Sequence, residues 1–213
     1  FALVQDDPSV QLVSDAQRRH AEQLQQDGLL KESYPILSVA APFRGGRNGI
    51  NDFTYVAQGD ISLRNVSDLY IYPNTLQVVE VNGATVKEWL EMSAGQFNQI
   101  DTGKTGVQWL VNESFPTYNF DVIDGVNYEV DITQPARYSK DGVKVSDGQR
   151  IITVRQLLNH TSGIKGYTEM PQFGPMMVRD LPKDSLIALF SKEPFNFDTG
   201  EREIYNNSAF FLA

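Results

Sequence analysis

A change of pattern near residue 150 constrains this chain more than any other feature. Before it, short apolar runs are cut by glycine, proline and turn dipeptides; after it, capping residues and helical spacing take over. Asp7-Pro8 followed by Val10, Val13, Ala16, His20 or Ala21 and Leu24 predicts an opening helix that ends near Asp27-Gly28. Residues 34–41 (YPILSVAA) predict a buried strand that runs through Pro42 into Arg44-Gly45-Gly46-Arg47-Asn48-Gly49, too rich in glycine for regular structure. Leu69-Tyr70-Ile71-Tyr72 and residues 76–81 (LQVVEV) read as strands closed by Pro73-Asn74 and by the tight-turn dipeptide Asn82-Gly83. Thr85 is then expected to cap a helix carrying Val86, Trp89 and Leu90. Asp124-Gly125 within FDVIDGVNYEVDIT predicts a hairpin, and residues 137–149 are turn-rich. From Ile151 onward, Thr153 can cap Val154, Leu157 and Leu158, and a further helix fits residues 183–192. The expectation is an α+β chain with domains at 1–150 and 151–213.

Composition removes several chemistries. There is no cysteine, and the histidines are His20 and His160, so a disulfide framework, a thiol nucleophile and a multi-histidine metal centre are excluded. With 27 acidic against 18 basic residues, net −9, the chain lacks the basic surface that nucleic-acid phosphates require. No apolar stretch approaches the roughly 20 residues that span a bilayer. The opening Phe1-Ala2-Leu3-Val4 reads as a mature or excised piece.

The strings Tyr70-Ile71-Tyr72-Pro73-Asn74-Thr75-Leu76, VNGATVKEWLEMSAGQFNQID and TYNFDVIDGVNYEVDITQPARY resemble the C-terminal domain of 5′-nucleotidase-type enzymes. Their wording is nearest to the bacterial 2′,3′-cyclic-nucleotide 2′-phosphodiesterase/3′-nucleotidase branch, and the likeness runs from Phe1 to about Arg150. It implies a mixed-sheet domain that recognises a nucleoside or nucleotide by sandwiching the base between aromatic rings. It also implies a separate metallophosphoesterase domain, not represented here, that carries paired divalent metals. A periplasmic, extracellular or cell-wall location follows from the same resemblance. A second likeness begins abruptly. ITVRQLLNHTSG, then Phe197-Asp198-Thr199-Gly200 and Tyr205-Asn206-Asn207, resemble serine β-lactamase and penicillin-binding-protein-type hydrolases, with Thr199 where proline is usual. This fragment is expected to be mainly helical.

The first resemblance makes Tyr72 one jaw of a base clamp, beside Asn74, with Arg47 of the glycine loop as a sugar or base contact. An aromatic face stacks on any base, and a glycine loop admits close backbone approach. As a plain strand residue, Tyr72 would instead share a face with Tyr70. The opposing jaw should lie beyond Arg150, where the likeness stops. No cofactor is expected in this chain, because neither His20 nor His160 has a cluster of ligands at metal spacing.

The second resemblance gives Tyr205 and Asn207 the places of a catalytic Tyr-x-Asn pair, the Tyr for proton transfer and the Asn for substrate. Its nucleophile is a Ser followed three residues later by Lys on a helix. The match to that spacing is Ser162-Gly163-Ile164-Lys165, where glycines oppose a helix and the likeness assigns Ser162 to a structural loop. The leading expectation is therefore a secreted nucleotide-recognition domain joined to a truncated hydrolase segment, inert alone. The alternative is an acyl-transferring serine hydrolase using Ser162, Lys165 and Tyr205. A third reading is a chain without a single stable fold, its apolar tail Phe210-Phe211-Leu212 uncovered.

Overall fold

A computed structural model of the chain describes residues 2–30, 34–46, 48–49, 51–176 and 182–212. The chain divides into two compact units. The first comprises Phe1–Asn98, Trp109–Val126 and Ala136–Val145; the second comprises Gln99–Gln108, Asn127–Pro135 and Ser146–Ala213. Helices and small antiparallel sheets make up both, an α+β composition.

The first unit opens with α1 (Pro8–Gln26), and its boundaries follow the sequence signals. The Asp7 carboxylate accepts from the Ser9 backbone N–H, Pro8 sits where its missing N–H costs nothing, and Gly28 turns the chain out at φ 71°. Val10, Ser14 and Ala21 form the buried face. Strand β1 (Ser38–Ala40) packs beside α1, where Ser38 Oγ donates to Gln17 Oε1 at 3.0 Å. Only the end of the expected apolar run at 34–41 is strand.

The next two expected strands do not form. Residues 63–69 are instead α2 (Leu63–Leu69), started by a capping box in which the Ser62 and Asn65 side chains serve each other's backbone N–H groups. Tyr70 ends that helix, and residues 71–85 are exposed without regular structure up to Asn82. Among the described residues no backbone hydrogen bond reaches residues 75–81, so LQVVEV has the alternation of a strand and no ladder to join.

Asn82-Gly83, expected as a tight turn, begins α3 (Gly83–Ser93). Asn82 Oδ1 accepts from Thr85 N–H at 2.9 Å, so Asn82 is the cap and Thr85 lies inside the first turn. Leu90 is 3% exposed, and Phe97 meets Phe120 edge-on at 5.5 Å. Strand β2 (Val122–Asp124) pairs antiparallel with β1 in the register Ser38↔Asp124, Val39↔Ile123 and Ala40↔Val122. Arg18 binds Asp124 at 2.7 Å and ties α1 to this strand.

The second unit is built on β3 (Tyr128–Val130) and β4 (Ile151–Thr153), paired antiparallel with Glu129 opposite Ile152. The hairpin expected at Asp124-Gly125 is therefore absent. Gly125 turns the chain at φ 96°, but β2 pairs with β1 and β3 with β4, on either side of a unit boundary. Both sheets are two-stranded and antiparallel rather than mixed. Buried Arg150 donates from Nε to the Gln134 carbonyl at 2.8 Å, and its own carbonyl accepts from Asp131 N–H.

Thr153 caps α4 (Val154–Leu158) in a capping box with Gln156, as its sequence predicts. Among the described residues three more helices follow, α5 (Phe173–Met176), α6 (Lys183–Phe190) and α7 (Asn207–Leu212). Ile152, Leu157, Ile164 and Ala209 form the core, with Phe195 and Leu212 packed against it. This helical tail has a core of its own, and Leu212, expected to stand uncovered, packs on it.

Candidate functional site

In the first unit, the glycine loop and the tyrosine segment meet through Phe43. The loop is closed on itself by Asp52. Its backbone carbonyl accepts from Gly46 N–H at 2.8 Å, and its carboxylate accepts from Asn48 N–H at 3.0 Å. Gly46 sits at φ 86° with the tip of the Phe53 ring where a Cβ would stand, so a larger residue would strain the backbone and push that ring aside. Arg47 lies outside the described residues.

Phe43, the residue before that loop, touches two tyrosines edge-on. Its ring lies 4.9 Å from Tyr70 and 5.8 Å from Tyr72, the latter at 69°. Tyr72 is 54% exposed, so Phe43 supports the ring while much of it faces solvent. A T-shaped neighbour at this angle cannot serve as the second, parallel jaw of a sandwich. Asn74 fastens the turn: its N–H donates to the Tyr72 carbonyl and its Nδ2 donates to the Tyr70 hydroxyl at 3.2 Å. The structure thus brings Tyr72 and Asn74 together. Phe43 carried no signal in the sequence beyond standing next to the loop.

Elsewhere in this unit a cleft of about 470 Å³ opens between α3 and the turn at residues 139–142. Half-buried Asp121 lines it, and Trp89 Nε1 donates to Asp121 Oδ2 at 2.7 Å. Desolvation raises the Asp121 carboxyl above its ordinary range, against a smaller lowering from the Trp89 bond. These residues come from three separate stretches, around residues 89–92, 116–121 and 140–142, which no local pattern joins.

The second unit holds the residues of the hydrolase-like segment. Ser162 is 1% exposed, and its Oγ is buried without a hydrogen-bond partner. Lys165 Nζ bonds Asn196 Oδ1 at 3.1 Å and lies 3.9 Å from Glu169. Ser162 and Lys165 are therefore not brought together. Gly163 separates them at φ 78°, where a Cβ would stand 2.0 Å from the Phe197 carbonyl oxygen. The Thr199 hydroxyl donates to the Ser162 carbonyl at 2.8 Å, so this loop braces the Phe197–Gly200 segment.

Tyr205 and Asn207 do meet. The Tyr205 hydroxyl donates to Asn207 Oδ1 at 3.1 Å, and Asn207 Nδ2 donates to Thr168 Oγ1 at 3.2 Å. The His160 ring lies 4.7 Å from that of Tyr205, and His160 has φ 60°, an uncommon backbone for a non-glycine residue.

Among the described residues no three His, Asp or Glu side chains come together to hold a metal ion. Nor is any described helix long and apolar enough to cross a membrane.

The half-exposed Tyr72 ring and the self-closed glycine loop lie in one α+β unit. Among known proteins, the model of the 5′-nucleotidase C-terminal domain matches residues 2–165, and the chain belongs to that family. A β-lactamase family model matches residues 127–213, a shorter segment overlapping the first. The trifunctional nucleotide phosphoesterase protein YfkN of Bacillus subtilis is 55% identical over 156 residues, 72% of this chain and 11% of that protein. The 2′,3′-cyclic-nucleotide 2′-phosphodiesterase/3′-nucleotidase of Yersinia enterocolitica is 52% identical over 150 residues, 69% of this chain and 23% of its own length. Its namesake in Salmonella typhimurium is 56% identical over 141 residues, 65% and 22% respectively. The chain thus spans between about a tenth and a quarter of these relatives. No solved structure matches it.

Proposed function

We propose that this chain is the nucleotide-recognition part of a secreted phosphoesterase of the 2′,3′-cyclic-nucleotide 2′-phosphodiesterase/3′-nucleotidase type. Tyr72 is its base platform, with Asn74 and Arg47 as neighbouring polar contacts. The observation that carries this reading is the Tyr72 ring, half exposed and held from one edge by Phe43. The names of the relatives support the nucleotide as ligand. Phosphodiester hydrolysis belongs to a metallophosphoesterase domain acting with this one, so the chain alone binds and does not cleave. Adenosine and 3′-AMP titrated against the purified chain test it. Saturable tyrosine shifts lost in Tyr72→Ala are expected; equal binding by that variant overturns the assignment.

The second reading, a serine hydrolase of β-lactamase type joined near residue 150, draws on the family-model match at 127–213 and on the Tyr205–Asn207 contact. Burial of Ser162 and the engagement of Lys165 elsewhere weigh against it. A fluorophosphonate or labelled β-lactam separates the two. Stoichiometric acylation lost in Ser162→Ala would favour the hydrolase.

A further inference from the structure

A glycine loop is a place where a ligand can reach the backbone, and here the chain fills that place from within. The Leu3 side chain lies 2.9 Å from where a Cβ of Gly45 would stand, and the tip of the Phe53 ring covers Gly46. Gly45 and Phe53 also form an antiparallel bridge. The backbone donors of Gly46, Asn48 and Gly49 are engaged in the same way. Gly46 N–H donates to the Asp52 carbonyl, Asn48 N–H to the Asp52 carboxylate, and Gly49 N–H to the Gly46 carbonyl. Asn48 Nδ2 donates to that same carboxylate oxygen at 3.3 Å, and Arg44 Nε stands 4.0 Å from the other. The Asp52 side chain is 15% exposed, so its charge is largely withdrawn from solvent.

An acceptor oxygen held by a backbone N–H and a side-chain amide, with a guanidinium nearby, is the arrangement by which a loop binds an anion. In this loop the anion belongs to the chain itself. A ligand phosphate entering it would have to displace a tethered carboxylate or lie against its charge, and both weaken binding. Tyr72 rests against Phe43 and the loop begins at the next residue, so a nucleotide stacked on Tyr72 has this loop as a neighbour. We propose that Asp52 is a specificity-determining residue: it occupies the anion seat of the glycine loop, so that the ligand is held by its base with its phosphate turned away from the loop. This inference rests on Tyr72 as the base platform. Its consequence is a phosphoester kept clear of the recognition surface and open to chemistry supplied from elsewhere.

The readout is a ratio of affinities, 3′-AMP over adenosine, measured on the full chain. It should rise by about threefold or more in Asp52→Asn, which keeps the shape and removes the charge, and in Asp52→Ala, which vacates the seat. A loop merely loosened by these changes would weaken both ligands together and leave the ratio where it stood. Inorganic phosphate supplies an arm that needs no nucleotide. At about tens of millimolar and constant ionic strength, it should leave the Gly46 and Asn48 amide resonances of the parent chain unmoved and shift them saturably in Asp52→Ala. Tyr72→Ala with undiminished nucleotide binding would count against the platform alone, since the phosphate arm still decides whether Asp52 fills the seat. Saturable phosphate shifts at Gly46 and Asn48 in the parent, or an unchanged ratio in Asp52→Asn, overturns the role of Asp52.

Discussion

Two exposed tyrosines, one in each unit, show what a residue can do with and without its surroundings. Tyr72 offers a ring face, and Phe43 and the Asn74 turn are enough to hold it in place. Stacking asks nothing more of the protein. Tyr205 offers a hydroxyl, already donated to Asn207, with the His160 ring beside it. Proton transfer needs a nucleophile within reach, and Ser162 is sealed under the Phe197–Gly200 segment. Stacking on Tyr72, as proposed, needs one supported ring, whereas proton transfer at Tyr205 would need several groups placed together.

That contrast can be broken first at the cores. Leu157→Ala in the second unit, 2% exposed, should cost about 2–5 kcal/mol in a denaturant melt while leaving the adenosine-induced tyrosine shifts intact. Loss of those shifts in a chain still folded at residues 38–40 and 122–124 would mean that the platform depends on the second unit. Gly163→Ala should lower stability by about 1–3 kcal/mol, since the added methyl meets the Phe197 carbonyl in a left-handed backbone. If Ser162 were a working nucleophile, the same change would also abolish acylation; no acylation is expected to lose. Tyr72→Ala should weaken adenosine by roughly five- to 150-fold, the loss of about 1–3 kcal/mol of stacking, and Tyr72→Phe should keep most of it by calorimetry. Tyr205→Phe should do neither, shifting stability by less than about 0.5 kcal/mol.

Asp121 supplies a prediction in pH. Its carboxyl is held above its unfolded value by desolvation, so the folded chain binds that proton more tightly than the unfolded one. Its contribution is fully present below the ordinary carboxylate range and is lost as pH rises through the raised value. Asp121→Asn cannot ionise. Its melting temperature should therefore gain on that of the parent between pH 3 and pH 7. A constant difference across that range would contradict the desolvated setting of Asp121.

Local chemistry was legible where a single residue decides the outcome. Asp7-Pro8 set the start of α1, Thr153 capped α4, and α6 (Lys183–Phe190) lies within the expected 183–192. Pairing was not legible. LQVVEV has the alternation of a strand, yet a strand exists only where another offers its N–H and C=O groups, and none reaches residues 75–81. Asn82-Gly83 suits a tight turn and a helix start equally, since both use the Asn side chain as a local acceptor; here Asn82 Oδ1 accepts from Thr85 N–H and starts α3. Asp124-Gly125 marked a turn correctly, but which strands it would join depends on partners distant in sequence. The candidate site divides in the same way. Tyr72 and Asn74 were readable from a continuous motif, whereas Phe43 and the Trp89–Asp121 cleft are products of packing.

The central claim is that this chain grips a nucleotide and leaves the phosphoester intact. Incubating the purified chain with 3′-AMP while following phosphorus and tyrosine resonances in one sample tests both halves together. The account predicts saturable shifts of a tyrosine assigned to Tyr72 and no inorganic phosphate over days. Phosphate release that co-purifies with the chain, or a phosphorus spectrum and tyrosine signals that never respond to the nucleotide, would contradict it.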